Sequence, residues 1–128
     1  MKSKHWVVLG ILVFITFILF AVLKPTGNAT KTPGKYDSFA QCLTEKGTKM
    51  YGAFWCPHCQ DQKEDFGSSW KYVTYIECSL PDRSGQTPLC QKEGIESYPT
   101  WEFSDKSREK GVMTLNELSE KTGCPLPE

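Results

Sequence analysis

The chain has 128 residues, enough for one small domain and a short additional segment. Its formal charge is zero, but all 15 acidic residues and only ten of the 15 basic residues lie within positions 36–128, so this part has a net charge of −5. That acidic balance argues against the basic surface that nucleic-acid binding needs, and we predict no nucleic-acid partner. Six cysteines in so short a chain favour an oxidising compartment.

Residues 6–23 form an apolar run that is interrupted only by Gly10 and Thr16. As a helix this run would span about 27 Å, close to the hydrocarbon thickness of a bilayer. The alternative is a cleaved signal peptide, whose apolar region is usually shorter and ends in a small-residue cleavage site that this stretch lacks. We therefore predict that residues 1–24 form a cytoplasmic stub and an uncleaved transmembrane signal-anchor.

Lysines flank both sides of this run, so the positive-inside rule gives only a weak orientation. The cysteines all follow the run and belong on the oxidising side. We therefore expect a single-pass protein of the cell membrane, with a cytoplasmic N-terminus and an extracytoplasmic domain. Residues 25–35 are rich in Pro, Gly, Thr and Lys and predict a flexible tether, which leaves residues 36–128 as the folded domain.

The domain begins with a helical pattern over residues 37–46, for which Asp37 is the predicted N-cap. A mostly buried strand is predicted over residues 48–54 and leads into a helix that runs to Phe66. Gly67 is the expected C-cap of this helix.

Residues 72–78 alternate β-forming side chains and predict a second strand, parallel to the first because a helix connects the two. A short helix is predicted over residues 87–93, followed by an antiparallel hairpin of strands over residues 100–103 and 109–112. The last predicted helix starts at a capping box of Thr114 and Glu117 and ends at Gly123. The order αβαβαββα predicts an α/β domain with a mixed four-stranded sheet and helices on both faces.

Cys56 and Cys59 enclose Pro57 and His58 at the junction of the first strand and its helix. The unpaired N–H groups and the positive dipole end of a helix N-terminus stabilise a thiolate, the form that attacks disulfides. Pro57 suits the first helical turn, and a positive His58 would favour the thiolate further. We interpret the pair as a redox-active dithiol. Half of a zinc site is the alternative, but a structural site needs four ligands and no second CxxC exists, so we predict no metal.

The element order, with a CxxC motif at the end of the first strand, resembles the thioredoxin fold. In that fold a proline before the third strand is cis and lies against the active-site disulfide, and the resemblance assigns this place to Pro99. We further expect Tyr98 and Trp55 to border the substrate. Ordinary thioredoxins carry a buried acid six positions before the first cysteine. Met50 stands there in this chain, and His58 or Glu64 would be the substitutes.

Three segments carry a closer resemblance: residues 50–64 (MYGAFWCPHCQDQKE), 75–78 (YIEC) and 94–101 (GIESYPTW). They are similar to the thioredoxin-like domain fused to bacterial and plant vitamin K epoxide reductase homologues. In that family the domain takes electrons from substrate cysteines and passes them to a membrane-embedded quinone reductase. This chain has one apolar segment instead of that bundle. The resemblance therefore implies a separate membrane quinone reductase as partner, and no cofactor in the domain itself.

The same resemblance implies a structural disulfide between Cys78 and Cys90, with two buried free thiols as the alternative. Cys42 and Cys124 remain. They could pair, although thioredoxin-like folds usually place the helices concerned on opposite faces, or either could contact a partner.

These features predict a membrane-anchored protein thiol–disulfide oxidoreductase that acts on proteins with cysteine pairs. Cys56 is the expected exposed sulfur, and Cys59 is the buried sulfur that resolves the mixed disulfide. The oxidising direction is our first interpretation. A membrane-tethered disulfide reductase is the main alternative, because it would carry the same motif. An isomerase would need a docking surface or dimer module that the sequence does not show, and a non-catalytic binding module would not need the intact CxxC motif.

Overall fold

A computed structural model describes residue 6, residues 13–15 and residues 32–128 of the chain. The chain divides into two units, Met1–Lys31 and Thr32–Glu128. Trp6 and residues 13–15 are helical and exposed. The rest of the predicted signal-anchor, and the predicted tether up to residue 31, lie outside the described residues.

Within the described part of the chain, no helix combines the length and the hydrophobicity of a membrane span.

The second unit contains four α-helices, four strands and a 3₁₀ helix in the predicted order. They are α1 (Asp37–Glu45), β1 (Lys49–Gly52), α2 (Pro57–Phe66), the 3₁₀ helix (Gly67–Tyr72), β2 (Thr74–Glu77), α3 (Pro88–Lys92), β3 (Thr100–Glu102), β4 (Arg108–Lys110) and α4 (Leu115–Thr122).

The four strands form one mixed sheet in the order β2-β1-β3-β4. β1 pairs in parallel with β2, and Met50 lies opposite Tyr75. β1 pairs antiparallel with β3, which pairs antiparallel with β4. The predicted parallel pair and the predicted hairpin are both confirmed, and the mixed four-stranded sheet with helices fits a thioredoxin-like α/β fold.

Neighbouring residues of β1 contribute to two separate hydrophobic cores, because successive side chains of a strand point to opposite faces. Met50 lies in the larger core, together with Phe39 of α1, Phe66 of α2 and Leu118 of α4. Tyr51 lies in a smaller core, which also contains the following residues: Cys78, Cys90 and Ile95. Helices therefore cover both faces of the sheet at β1.

The predicted cap of α1 is wrong. Tyr36 is the N-cap residue, and no side chain caps this helix end. Asp37 is already helical, and its carboxylate turns back to accept the N–H of Gly34 at 3.0 Å. The ends of α2 and α4 agree with the prediction, since Gly67 and Gly123 are the C-caps and Thr114 forms a complete capping box with Glu117.

The strands are shorter than their apolar patterns predict. β2 begins at Thr74 because Tyr72 ends the 3₁₀ helix that follows α2. Phe103 leaves β3 and accepts the N–H of Lys106 in the turn to β4. The apolar pattern thus continues beyond the sheet pairing, because loop residues next to a strand also pack into the core.

Two disulfides brace the domain. Cys78, just after β2, is bonded to Cys90 of α3, with Cα atoms 5.5 Å apart. Cys42 of α1 is bonded to Cys124, with Cα atoms 5.9 Å apart. The second bond is possible because α1 and α4 contribute to the same core, contrary to the usual opposite placement.

Candidate functional site

Cys56 and Cys59 lie where the chain leaves β1 and enters α2. Cys56 is the N-cap residue of α2 in an extended conformation, and Pro57 occupies the first turn. The Cys56 carbonyl accepts the N–H groups of Cys59 and Gln60, both at 3.1 Å. Cys56 therefore stands at the positive end of the helix dipole.

The two thiols differ in accessibility. Cys56 is 6% exposed, whereas Cys59 is completely buried, and neither is disulfide-bonded in this structure. Burial raises the pKa of Cys59 to about 12 and outweighs the hydrogen bond to the Ala53 backbone, which lowers it. Cys59 therefore keeps its proton at neutral pH, and Cys56 is the sulfur that another molecule can reach.

The segment before β3 lies against the Cys56 sulfur. The Tyr98–Pro99 peptide bond is cis, and Pro99 is buried. The Cys56 thiol donates to the Tyr98 carbonyl oxygen at 3.6 Å. The Tyr98 ring packs edge-on against Trp55, with centroids 6.2 Å apart. The structure thus brings together four residues that the sequence assigned to the site: Trp55, Cys56, Tyr98 and Pro99.

The loop that follows β2 forms one border of the site. The Trp55 indole N–H donates to Ser79 Oγ at 2.8 Å, and Gln86 Nε2 donates to the Tyr98 hydroxyl at 2.7 Å. The Trp55 side chain nevertheless stays 43% exposed. Sequence reasoning missed Ser79 and Gln86, because nothing in their local pattern marks a residue that orients an aromatic side chain.

His58 lies on the exposed side of α2. Its side chain is 72% exposed, and Nδ1 lies 3.7 Å from Asp61 Oδ2. Glu64, the other predicted substitute for a buried acid, is also exposed, and Met50 is completely buried. The structure therefore places both predicted substitutes on the protein surface.

A buried amide anchors α2 below the cysteines. Gln62 accepts the indole N–H of Trp101 at 3.0 Å and the N–H of Met113 at 2.8 Å, and it donates to the Met113 carbonyl at 2.9 Å. These bonds fix α2 to β3 and to the segment before α4. Sequence reasoning missed Gln62, because nothing in the neighbouring sequence distinguishes it from the exposed Gln60 on the same helix.

A second missed pair lies at the end of β2. The Tyr75 hydroxyl donates to Glu77 Oε2 at 2.8 Å, and Glu77 Oε1 accepts the N–H of Phe54 at 3.2 Å and of Ser79 at 2.8 Å. Burial and the hydrogen bond to Glu77 raise the pKa of Tyr75, so its hydroxyl stays protonated. The alternating pattern of this strand predicted its pairing and gave no sign of this polar contact.

The arrangement can carry out thiol–disulfide exchange: one reachable sulfur at a helix N-terminus, one buried partner in the next turn, and a cis-proline segment beside them. Over the residues that the structure describes, no group of three or more His, Cys, Asp or Glu side chains is placed to hold a metal ion.

Comparison with known proteins agrees with this chemistry. The chain is 44% identical over 96 residues to the thiol-disulfide oxidoreductase LTO1 of Arabidopsis thaliana, a match that covers 71% of this chain and 25% of that protein. It is 26% identical over 118 residues to the protein disulfide isomerase-like 5-1 of Oryza sativa subsp. japonica, covering 84% of this chain and 80% of that protein. A protein disulfide-isomerase-like protein, EhSep2 of Emiliania huxleyi, is 28% identical over 120 residues, covering 81% and 51%.

No family model matches the sequence. The chain spans about a quarter of the length of the Arabidopsis protein. In its fold, its cysteine pair and its sequence, the chain is therefore similar to thioredoxin-like thiol–disulfide oxidoreductases.

Proposed function

We propose that the chain is a membrane-anchored oxidoreductase that oxidises cysteine pairs in substrate proteins with a Cys56–Cys59 disulfide. The observation that carries the proposal is the asymmetry of the pair. Cys56 reaches the surface at a helix N-terminus, and Cys59 is completely buried one turn later. A disulfide between such sulfurs is attacked at the accessible one, and the buried one is the leaving group.

The proposed reaction starts when a substrate thiolate attacks Cys56 Sγ. A bond forms between these two sulfurs, the Cys56–Cys59 bond breaks, and Cys59 leaves with the electron pair and takes up a proton. A second substrate thiolate then attacks the substrate sulfur of the mixed disulfide. This step forms the substrate disulfide and releases Cys56 as a thiolate. Two electrons have then moved from the substrate to the domain.

The residues around Cys56 suit a protein substrate. Trp55 and Phe54, which directly precede Cys56 in the sequence, expose aromatic surface at 43% and 38% of their full area. Tyr98 and Pro99 place backbone beside the sulfur, with the Tyr98 carbonyl 3.6 Å from Cys56 Sγ. We propose that the substrate chain lies along this backbone and contacts both aromatic side chains, while Pro57 and His58 tune the pair from the exposed end of α2.

The proposed electron acceptor is a separate quinone reductase in the same membrane, of the vitamin K epoxide reductase type. The support for this step is the resemblance of the three quoted segments and the 44% identity to LTO1, which extends over a quarter of that protein. A signal-anchor over residues 6–23 and a tether over residues 25–35 would hold the domain on the extracytoplasmic side. Anchoring to the same membrane raises the effective concentration of the two partners.

Two other functions use the same site. A membrane-tethered reductase would run the exchange in the opposite direction. An isomerase is favoured by the relatives from rice and Emiliania huxleyi, which are protein disulfide isomerase-like proteins. A potential more negative than about −230 mV would contradict the oxidase proposal, because the disulfide would then lie beyond the glutaredoxin range and toward that of thioredoxin.

Partner trapping tests the direction of electron flow. In the Cys59→Ala variant, a mixed disulfide on Cys56 cannot be resolved from within the domain and accumulates. Expressed in membranes, this variant should retain a quinone-reducing membrane protein and substrate proteins on Cys56. The matched control is Cys56→Ala, which should retain neither. Recovery of only a thioredoxin-driven electron donor would reverse the direction and contradict the oxidase proposal.

Thiol labelling tests the location. In intact cells, a membrane-impermeant maleimide should modify Cys56 after mild reduction. Modification only after the membrane has been permeabilised would contradict the extracytoplasmic placement of the domain.

A further inference from the structure

Tyr75 of β2 lies directly beside the buried sulfur of the pair. Gly52 has no side chain, and the point where its Cβ would stand is 2.8 Å from Cys59 Sγ. The same point is 2.8 Å from Tyr75 Cε2 and 3.2 Å from the Tyr75 hydroxyl oxygen. The sulfur and the hydroxyl therefore both lie against Gly52, close enough to be joined by one bridging water.

The Tyr75 hydroxyl is held by a carboxylate that is itself fixed. It donates to Glu77 Oε2 at 2.8 Å, while the other oxygen of Glu77 accepts two backbone N–H groups at the ends of β1 and β2. Three donors thus orient one partly exposed carboxylate, which connects the hydroxyl to solvent.

The other charged group against Tyr75 comes from α2. Lys63 Nζ lies 4.0 Å from the centre of the Tyr75 ring. The two thiols and Glu77 also interact electrostatically with this side chain. Tyr75 thus lies among a thiol pair, an ammonium group and a carboxylate.

Exchange at the cysteine pair requires a proton at Cys59. Burial raises the pKa of this thiol to about 12, so the reduced domain holds it protonated at neutral pH. Its sulfur nevertheless leaves as a thiolate when the disulfide opens. One proton must therefore move to Cys59 in each reduction of the pair, and away from it in each reoxidation. Met50, where thioredoxins carry an acid, is a buried thioether and cannot transfer it.

We propose that Tyr75 transfers this proton and that Glu77 positions Tyr75 and connects it to solvent. As the Cys56–Cys59 bond breaks, its electron pair goes to Cys59 Sγ, which receives the proton of the Tyr75 hydroxyl. The Glu77 carboxylate takes up a proton from solvent and passes it to Tyr75, which restores the hydroxyl group. The net change is one solvent proton bound to Cys59, and reoxidation runs the same path backwards. The inference rests on the proposed thiol–disulfide exchange.

The test is the rate of exchange between the full-length protein and glutathione, measured from pH 5 to pH 9 in both directions. We expect Tyr75→Phe and Glu77→Gln each to slow the exchange about a hundredfold, at the low end of the range for general acid–base catalysis. Added imidazole should restore much of the rate in both variants by carrying the proton itself, and should leave the wild-type rate unchanged. Glu77→Asp, which keeps a carboxylate, should be faster than Glu77→Gln.

Two variants serve as controls. Tyr72→Phe removes a tyrosine hydroxyl just before β2, and Glu64→Gln removes an exposed carboxylate from α2. Both should exchange at the wild-type rate. If Tyr75→Phe fails to fold, Glu77→Gln carries the same test with the ring in place.

Unchanged rates in Tyr75→Phe and Glu77→Gln would overturn the proposal, and so would a loss that imidazole does not restore, since that result would indicate a structural role. Failure of the wild-type protein to exchange with glutathione in either direction would overturn the proposed function, and the proton transfer with it. The failure of one proposal is thus distinguishable from the failure of the other.

Discussion

The Cys59 sulfur occupies the space that a side chain at position 52 would fill. A Cβ placed on Gly52 would stand 2.8 Å from Cys59 Sγ, closer than real Cβ contacts. Gly52 is the last residue of β1, and it pairs with Glu77 at the end of β2. The absence of a side chain at this position is therefore what allows the active-site helix to approach the sheet.

Gly52→Ala should destabilise the reduced domain by roughly 1–3 kcal/mol, because the added methyl group overpacks a fully buried site. It should also slow the exchange, because it displaces Cys59 or Tyr75. Chemical unfolding and the glutathione exchange rate measure the two effects. Gly85→Ala is the control, since its Cβ would meet only Leu80 Cδ1 at an ordinary 3.8 Å. Equal stability of the two variants would refute the proposed packing.

The two active-site thiols should differ in their reactivity toward alkylating reagents. Cys59 is buried with a pKa raised to about 12, so iodoacetamide at neutral pH should modify Cys56 and leave Cys59 intact. Mass mapping of the alkylated protein measures this. Because the folded pKa of Cys59 lies above its ordinary value of 9.0, its stabilising contribution is present below pH 9 and is lost as the pH rises toward 12. Equal alkylation of both thiols at pH 7 would contradict the assigned roles.

Glu102 should make folding sensitive to acid. Burial opposes its ionisation, but bonds from Arg108, Lys49 and Lys106 outweigh this effect and lower its pKa from 4.5 to about 2. A lowered carboxyl pKa stabilises the fold above pH 4.5, and the contribution disappears as the pH falls toward 2. Glu102→Gln should cost about 2 kcal/mol at pH 7, because the partly exposed cations Arg108 and Lys49 lose their charged hydrogen bonds to a buried carboxylate.

The measurement is the free energy of unfolding of wild type and Glu102→Gln from pH 7 to pH 2. The difference between the two proteins should shrink across the acid range. Glu96→Gln, which removes an exposed carboxylate, should follow the wild-type curve. A constant difference between wild type and Glu102→Gln at every pH would argue against the ion-pair network.

The two structural disulfides should differ in their contribution to stability. In the chain-entropy model a bond that closes a loop of 12 residues contributes about 3 kcal/mol, and one that closes 82 residues contributes about 4.5 kcal/mol. Replacing both Cys42 and Cys124 by serine should therefore destabilise the domain more than replacing both Cys78 and Cys90. Denaturant unfolding of the two double variants decides this, and the reverse order would count against the model.

The local pattern of the chain predicted the element order, both kinds of strand pairing and the cysteine pair at the strand–helix junction. These features depend on residues close in sequence, such as Pro57 in the first helical turn or Gly67 at a helix end. The cap at Asp37 was wrong because a side chain that can cap a helix can equally bond to a preceding turn, as it does with Gly34.

Contacts that cross the fold could not be read from the sequence. Gln62 meets Trp101 over 39 positions, and Tyr75 meets Cys59 only because the sheet places β2 beside β1. Residues of this kind carry no local signature, since their surroundings are set by tertiary packing. The predicted substitutes for a buried acid, His58 and Glu64, both lie on α2. The polar pair beside the buried sulfur, Tyr75 and Glu77, lies on β2 instead.

The most direct test of the central claim is transfer of the Cys56–Cys59 disulfide to a substrate. Full-length oxidised protein is mixed with an equimolar reduced peptide that contains two cysteines, the reaction is stopped with acid, and the products are weighed by mass spectrometry. We predict that the wild type converts about one peptide per protein to the disulfide form and that Cys56→Ser converts none. A peptide that stays reduced with the wild type, just as it does with Cys56→Ser, would contradict the account.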